Sequence, residues 1–308
     1  MTITAKLIAY SQAPNKQTVA TFEIEYPRFV HGELMTHRMF SRNAMSSRAV
    51  PVEKMIEQVR SAPATPIHWG KNQPGMQAKE ELTGSARQDV EAHWKMAATS
   101  ASHIADRMSC LGAHKQVVNR TLEPFQTMKT VVTSTEWDNF FYLRNHEDAQ
   151  PEIKRLAEVM LACFENESPV QLTSEDWHTP YFGEGYWLKG CGIPLDDALV
   201  ISSSCCAQVS FRQLDDTLEK AKRIYERLVE SKPVHASPFE HQCKPIPEYR
   251  SWKTYSYSMQ GHFDPDIVEW PDGVTHVDRN NSYWSGNFKG FIQHRQLIPG
   301  NVYVKESV

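Results

Sequence analysis

Apolar and polar residues alternate through TVATFEIEYPRFV, residues 18–30, up to Pro27, which predicts a half-buried strand. In PVEKMIEQVRSA, residues 51–62, Pro51 suits a helix start, and Val52, Met55, Ile56 and Val59 make one apolar stripe. Residues 63–84, rich in Pro, Gly, Gln and Lys, read as loop, and SARQDVEAHWKMAATSASHIADRM reads as a long helix ending near Gly112. Further helices are predicted at 115–145, interrupted by Pro124, at 150–165 behind Pro151, and at 214–231, where Leu214, Leu218, Ala221, Ile224 and Leu228 recur. SSSCCAQVSF leads into a strand-like run. From 166 to 200 and from 244 to 308, Pro, Gly, Trp and Tyr recur without a clear period, which predicts loops with short strands or surface-covering extensions. No solenoid repeat or low-complexity tract interrupts this order.

Composition narrows the partners more than the fold. With 308 residues, 40% hydrophobic and 23% charged, the chain can bury a sizeable core. A net charge of -4 gives no general field for a nucleic acid polymer, so any anion site is local. No apolar run has membrane-spanning length and MTITAKLIAYSQ lacks a signal-peptide core, so a cytoplasmic protein without a membrane partner is expected. Six irregularly spaced cysteines without a CxxC pair read as reduced, mostly structural thiols, and Cys205 and Cys206 read as core residues before a strand.

Local anion chemistry is concentrated in THRMFSRNAMSSRAVP, residues 36–51, where Arg38, Arg42 and Arg48 stand among Ser41, Asn43, Ser46 and Ser47. Guanidiniums interleaved with hydroxyls suit phosphate oxygens, so a small phosphorylated ligand is the first expectation. Three other clusters carry chemistry. DNFFYLR places Asn139 and Arg144 among aromatics, a pattern shared with a solvated helix face. HASPFEH puts His235, Ser237, Glu240 and His241 within seven positions, but without metal-ligand spacing, so no metal is assigned. Arg120 stands in VVNRTLEP, where it could equally be a surface cation.

Together these pieces resemble the flavin-dependent thymidylate synthases. That family carries R-H-R, seven residues, then S-x-R; here Thr36, His37 and Arg38 are followed by MFSRNAM and then Ser46, Ser47 and Arg48. Its A-R-x-x-L-P is echoed by Asn119 to Pro124. Its N-F-x-x-L-R with A-x-x-E-I is matched by Asn139, Phe140, Leu143, Arg144, Ala149, Glu152 and Ile153, and its H-x-[ST]-P-x-E-H by His235 to His241. The family places H-x-[ST]-P-x-E-H upstream of R-H-R, and here it lies downstream, the order that a circular permutation would give. Two residues depart from the pattern: Thr36 replaces the first Arg, and Ala44 replaces a usual Glu before S-x-R. Gln293-His294-Arg295 echoes R-H-R without the following S-x-R.

The resemblance implies an α+β fold, a mixed sheet with long helices in circularly permuted order, as one domain over 1–245 with a C-terminal extension, 246–308, packed on it. It implies a homotetramer that converts dUMP to dTMP with FAD, NADPH and 5,10-methylenetetrahydrofolate. Arg144 would be the catalytic group, facing the pyrimidine ring. Glu33, Thr36, Ser46, Ser47, Arg48 and Arg120 would join it in binding the nucleotide, and His37, Arg38, Asn139, Ser210, His235, Ser237 and Glu240 would bind the flavin. Thr36 and Ala44 leave open a pyrimidine nucleotide hydroxymethylase acting on dUMP or dCMP, and a non-catalytic nucleotide- or flavin-binding protein is the third alternative.

Overall fold

The computed structural model describes residues 3–209, 215–247, 270–280 and 282–302 of this α+β protein. β1 (Thr4–Gln12) turns at Lys16 and pairs antiparallel with β2 (Thr18–Pro27), the strand that its alternation predicts. Then follow α1 (His31–Met35), β3 (Ser41–Ala44), α2 (Val52–Ser61), α3 (Gly84–Cys110) and the one-turn α4 (Lys115–Val118). α2 buries its predicted stripe of Val52, Met55, Ile56 and Val59, and α3 ends just before Gly112, which has φ +84°.

The helix predicted over 115–145 does not form as one element. After α4 a 3-10 turn, Asn119–Phe125, leads into β4 (Thr127–Ser134), and only then comes α5 (Asp138–Arg144). β4 lies in the sheet with nearly every side chain buried, so its sequence, TMKTVVTS, shows no alternation, while its Thr and Val content suits a strand. α6 (Pro151–Ala162) follows as predicted. After β5 (Val170–Gln171), β6 (Trp177–His178) and β7 (Tyr186–Trp187), Cys205 and Cys206, read as core residues before a strand, are buried in the last turn of α7 (Leu195–Ala207); Gln208 and Val209 form a turn, and the rest of the strand-like run lies outside the described residues. This helix buries serines and cysteines together with Ala198 and Leu199, so no apolar stripe marks it in the sequence. α8 (Leu218–Val229) lies inside the helix predicted over 214–231.

The remaining strands are β8 (Cys243–Pro245), β9 (His276–Val277), β10 (Tyr283–Ser285), β11 (Phe288–Lys289) and β12 (Phe291–Gln293). They do not merely cover the surface, since Phe288, Phe291 and Ile292 are buried. The main sheet runs β3-β4-β2-β1-β5, and β12-β8-β6-β7 and β11-β10-β9 form two smaller sheets. On one face of the main sheet Phe22, Ile24, Tyr26 and Val132 pack against Ile153, Leu156 and Met160 of α6 and Phe140 of α5. The other face is covered around Val131 by Cys206 and Val209, and around Val19 by Cys243, Phe288 and Phe291. A second core joins α2 and α3 to the 119–125 turn.

Polar groups cross this covered face as a chain. Ser11 Oγ is 2.9 Å from His178 Nδ1, His178 Nε2 is 2.8 Å from Thr21 Oγ1, Thr21 Oγ1 is 2.7 Å from Thr133 Oγ1, and Thr133 Oγ1 is 2.8 Å from His241 Nδ1. Burial pushes both histidines down to about 3, with His241 adding to the effect on His178. The unfolded chain binds these protons near pH 6.5 and the folded chain does not. Stability is therefore complete above pH 6.5 and falls as the pH drops below it toward 3. Between pH 6.5 and 5 the expected loss is roughly 2 kcal/mol per histidine. Urea denaturation at the two values measures it, and unchanged stability would mean that neither ring is held neutral.

Candidate active site

At the end of α1 the Glu33 and Leu34 carbonyls accept from the backbone of Thr36 and His37 (3.2 Å each), and the last carbonyls keep acceptor capacity to spare. Arg42, on β3, reaches back and donates from Nη1 to the carbonyls of Leu34 (3.2 Å), Met35 (3.3 Å) and His37 (3.0 Å). Arg42 is thus engaged as a helix cap, which removes it from the three guanidiniums that the sequence offers to an anion. The turn that it braces presents Thr36, His37 and Arg38 to α5. His37 lies against the rings of Phe40 and Phe140, at centroid distances of 5.6 and 4.9 Å.

Arg144, at the end of α5, donates from Nε to His37 Nε2 (2.8 Å) and from Nη2 to Thr36 Oγ1 (3.1 Å). Thr36 in turn donates to the carbonyl of Glu33 (2.7 Å). His37 Nε2 must carry a lone pair, so the ring proton sits on Nδ1. Burial first, then the charges of Arg144 and Arg42, push His37 down to about 4. Among the described residues no carboxylate lies within ion-pair distance of Arg144, so its charge is oriented by neutral groups and left unneutralised.

Arg144 stands between two concavities. One, of about 350 Å³, is lined by Thr36, His37, Arg38, Asn139 and Arg144 together with Glu136, Phe140, Leu143 and Trp284. The other is a groove of about 1070 Å³ that takes in Glu33, Arg144, the 66–79 segment and the first turns of α6. Trp284 and Glu136 carried no motif, and nothing in the sequence pattern marks either as part of a site.

Beyond the opposite end of β3, Ser47 and Arg120 meet at Glu123, and Ser46 and Arg48 flank Ser47 in the chain. Asn119 Nδ2 donates to the carbonyls of Ser47 (2.6 Å) and Val50 (3.0 Å), which fixes the 47–50 turn, and leaves Arg48 exposed. Glu123 sits within this cluster. It accepts from Ser47 Oγ (3.3 Å) and pairs with Arg28 at 2.9 Å and Arg120 at 3.6 Å, so an incoming anion would meet a carboxylate already holding part of the positive charge.

HASPFEH forms a 3-10 turn at Ser237–Glu240. Its C-terminal end lies beside β3, whereas His235 and Ser237 are exposed and neither is bonded to His37 or Arg38. Arg295 binds the Glu240 carboxylate, and burial raises the pKa of Glu240 against the opposing pull of Arg295, Arg42 and Ser41. Gln293-His294-Arg295 is thus a structural contact of this turn: Gln293 donates to the Glu240 carbonyl (3.1 Å), and His294 packs on Phe239. Ser210 lies outside the described residues. Among the described residues no three His, Cys, Asp or Glu side chains converge as a metal site, and no helix is long and apolar enough to cross a membrane.

The sequence over residues 5–170 matches the family profile described as thymidylate synthase complementing protein. The chain belongs to this family. The match runs from β1 into β5 and takes in Thr36–Arg48, Arg120, Asn139 and Arg144, while 235–241 lies outside it. Among solved structures the chain is similar to the UMP/dUMP methylase PolB from Streptomyces cacaoi bound with 5-Br UMP. Identity is 19%, over 53% of this chain and 88% of that one, with a TM-score of 0.45. It is also similar to the flavin dependent thymidylate synthase ThyX from Helicobacter pylori complexed with FAD and dUMP, at 18% identity over 48% and 68% of the two chains and a TM-score of 0.34. Among curated proteins none matches. In this member of the thymidylate synthase complementing proteins, Thr36 accepts a hydrogen bond from Arg144, which an arginine at that position could not do.

His37 is expected to titrate near pH 4 with its neutral proton on Nδ1. Nitrogen-15 NMR of the imidazole reads both, with His37→Gln identifying the signal. Arg144→Met should raise the midpoint toward 6.5, because one of the two cations opposing ring protonation is gone. An Nε2–H tautomer in the native protein would contradict the arrangement.

Proposed function

We propose that the protein transfers a one-carbon unit from 5,10-methylenetetrahydrofolate to C5 of dUMP and reduces it to the methyl group of dTMP, using FAD and NADPH. The observation that carries this reading is Arg144, a charge held by neutral partners at the cavity wall in a chain of this family. A fixed guanidinium stabilises negative charge that develops on a pyrimidine ring as C5 attacks an electrophile. Its Nε is spent on His37, which leaves Nη1 and the remaining Nη2 hydrogen to face the ligand.

The cavity suits a flat heteroaromatic group, because Arg38, Asn139 and Arg144 offer donors and Phe140, Leu143 and Trp284 offer apolar surface. His37, Arg38 and Asn139 would hold the flavin, with Ser210, His235, Ser237 and Glu240 completing its pocket. A bound flavin would supply the hydride. Ser46, Ser47, Arg48 and Arg120 would take the 5'-phosphate and Glu33 would stand near the nucleotide, with sites shared between the subunits of a homotetramer. We further propose that residues 1–245 form one circularly permuted domain, carrying 246–308 as an extension. The placement of the Glu240–His241 end against β3 and β4 supports that order.

A hydroxymethylase acting on dUMP or dCMP is the second reading. It is favoured by the exposure of Thr36 at the cavity wall, since water reaching the transferred carbon would replace the hydride. Incubation with FAD, NADPH, 5,10-methylenetetrahydrofolate and either dUMP or dCMP, followed by mass spectrometry, separates the two. dTMP is the expected product. A product heavier by one oxygen establishes the second reading, and no product combined with no FAD binding leaves a non-catalytic binding protein.

Arg144→Ala is expected to lower kcat by about 10²- to 10³-fold with little change in nucleotide affinity, since the charge that it meets forms only in the transition state. Arg48→Ala should chiefly raise KM, because the phosphate is charged throughout. Steady-state kinetics of the two variants check both, and the reverse pattern would exchange the roles.

A further inference from the structure

The segment from β10 to the 3-10 turn His294–Leu297 lies outside the family match, yet Trp284 lines the Arg144 cavity and other residues of the segment hold the chain that carries His37. Trp284 forms part of the wall. Its indole is held by a hydrogen bond from Nε1 to Asp278 (3.1 Å) and by the His276 ring stacked at 5.7 Å. Asn287 Nδ2 donates to the Met39 carbonyl (3.0 Å), and its side chain bonds the Ser41 hydroxyl. Gln293 Nε2, buried with Ser41, lies 3.1 Å from Ser41 Oγ, 3.1 Å from the Glu240 carbonyl and 3.0 Å from Asn287 Oδ1. The tight β10–β11 turn that brings Gln293 so close requires Gly286, at φ +60°, where a Cβ would lie 2.8 Å from Gln293 Oε1.

The chain from Thr36 to Ser41 is therefore gripped from two sides. Arg42 holds the carbonyls of residues 34, 35 and 37 from within the sheet, and Asn287 and Gln293 hold Met39 and Ser41 from the C-terminal segment. Glu240 connects the two grips, since its carboxylate is bound by Arg295 and feels the charge of Arg42. Without Arg295, a carboxylate this buried would draw Arg42 toward itself and away from the α1 carbonyls.

We propose that residues 283–295 brace the Arg144 cavity, with Trp284 as part of its wall and with Asn287, Gln293 and Arg295 behind it as positioning residues that keep His37 where its Nε2 can accept from Arg144. This deepens the function proposed above by adding residues to the same site, and its principal test uses no ligand. The variants are Asn287→Leu, which keeps the size, adds no charge and removes the donor to Met39, Arg295→Met, and Arg295→Lys as the conservative rescue.

In the native protein the groups charged against His37 are Arg144 from α5 and Arg42 from β3. The neutral variant Asn287→Leu and Arg295→Met are expected to raise the His37 midpoint by about one pH unit or more and to mix its tautomers, as read by nitrogen-15 NMR. Arg295→Lys should keep the native titration. Where turnover is measurable, kcat should fall by about 10- to 100-fold with nucleotide KM nearly constant. A variant that melts earlier but keeps the native His37 midpoint and tautomer overturns the proposal, because the segment then only adds stability; so does a variant that changes nothing. Should Arg295→Met fail to fold, Asn287→Leu against Arg295→Lys decides on the same signals. A shifted His37 in a protein whose wild type shows no turnover sinks the proposed reaction and leaves the positioning role standing.

Discussion

The lone pair on His37 Nε2 is the constraint on which the rest of the site depends. It exists because the ring is pressed against Phe40 and Phe140 and faces two guanidiniums, surroundings in which a second proton is costly. A protonated imidazole would offer Arg144 a donor against a donor, and the contact would be lost. Holding a cation with a neutral acceptor differs from holding it with a carboxylate. The geometry is kept while the field of the charge remains for whatever binds beside it. Thr36, where the family carries a cation, serves the same end by adding a second neutral acceptor.

The sheet explains why these parts lie where they do. Because both its faces are covered, polar groups that a ligand can reach are confined to its ends and to the segments leaving β3 and β4. β3 is four residues long, so about 13 Å of strand separates the Arg144 end from the Ser47–Arg48 end. Glu123 moderates the second cluster by sharing Arg28 and Arg120, whereas no carboxylate among the described residues does so for Arg144. One end keeps its positive charge exposed to a ligand and the other has it partly balanced in advance.

Legibility in the sequence followed burial. α2 has one buried face and three-to-four-residue spacing of its apolar positions, which the pattern displays directly; α3 and α6 were found from composition and from Pro151. β4 is enclosed on both faces and α7 is lined with serine and cysteine, so neither has the one-sided contrast that periodicity detects. At the site, the motif residues Thr36, His37, Arg38, Asn139 and Arg144 were visible and the structure brings them together. Asn287 and Gln293 bond Met39 and Ser41 across more than 200 positions of chain, and Trp284 reaches the cavity wall from the same distant segment, contacts that no local spacing encodes. The Gln293-His294-Arg295 echo was visible, but its resemblance to the earlier motif gave no hint that it binds the turn ending in Glu240.

The buried polar chain from Ser11 to His241 has a handedness of its own. Each of its two threonine hydroxyls has one hydrogen to give, so all four bonds must point the same way, and reversing one reverses all. Among the described residues, His241 Nε2 terminates the chain in the interior without a partner. Leaving a lone pair there costs less than leaving an N–H there, so the run is directed away from His241: Nδ1–H to Thr133, Thr133 to Thr21, Thr21 to His178 Nε2, and His178 Nδ1–H to Ser11. Two imidazoles on separate elements therefore share one tautomeric state, chosen by a single unpaired nitrogen at the far end.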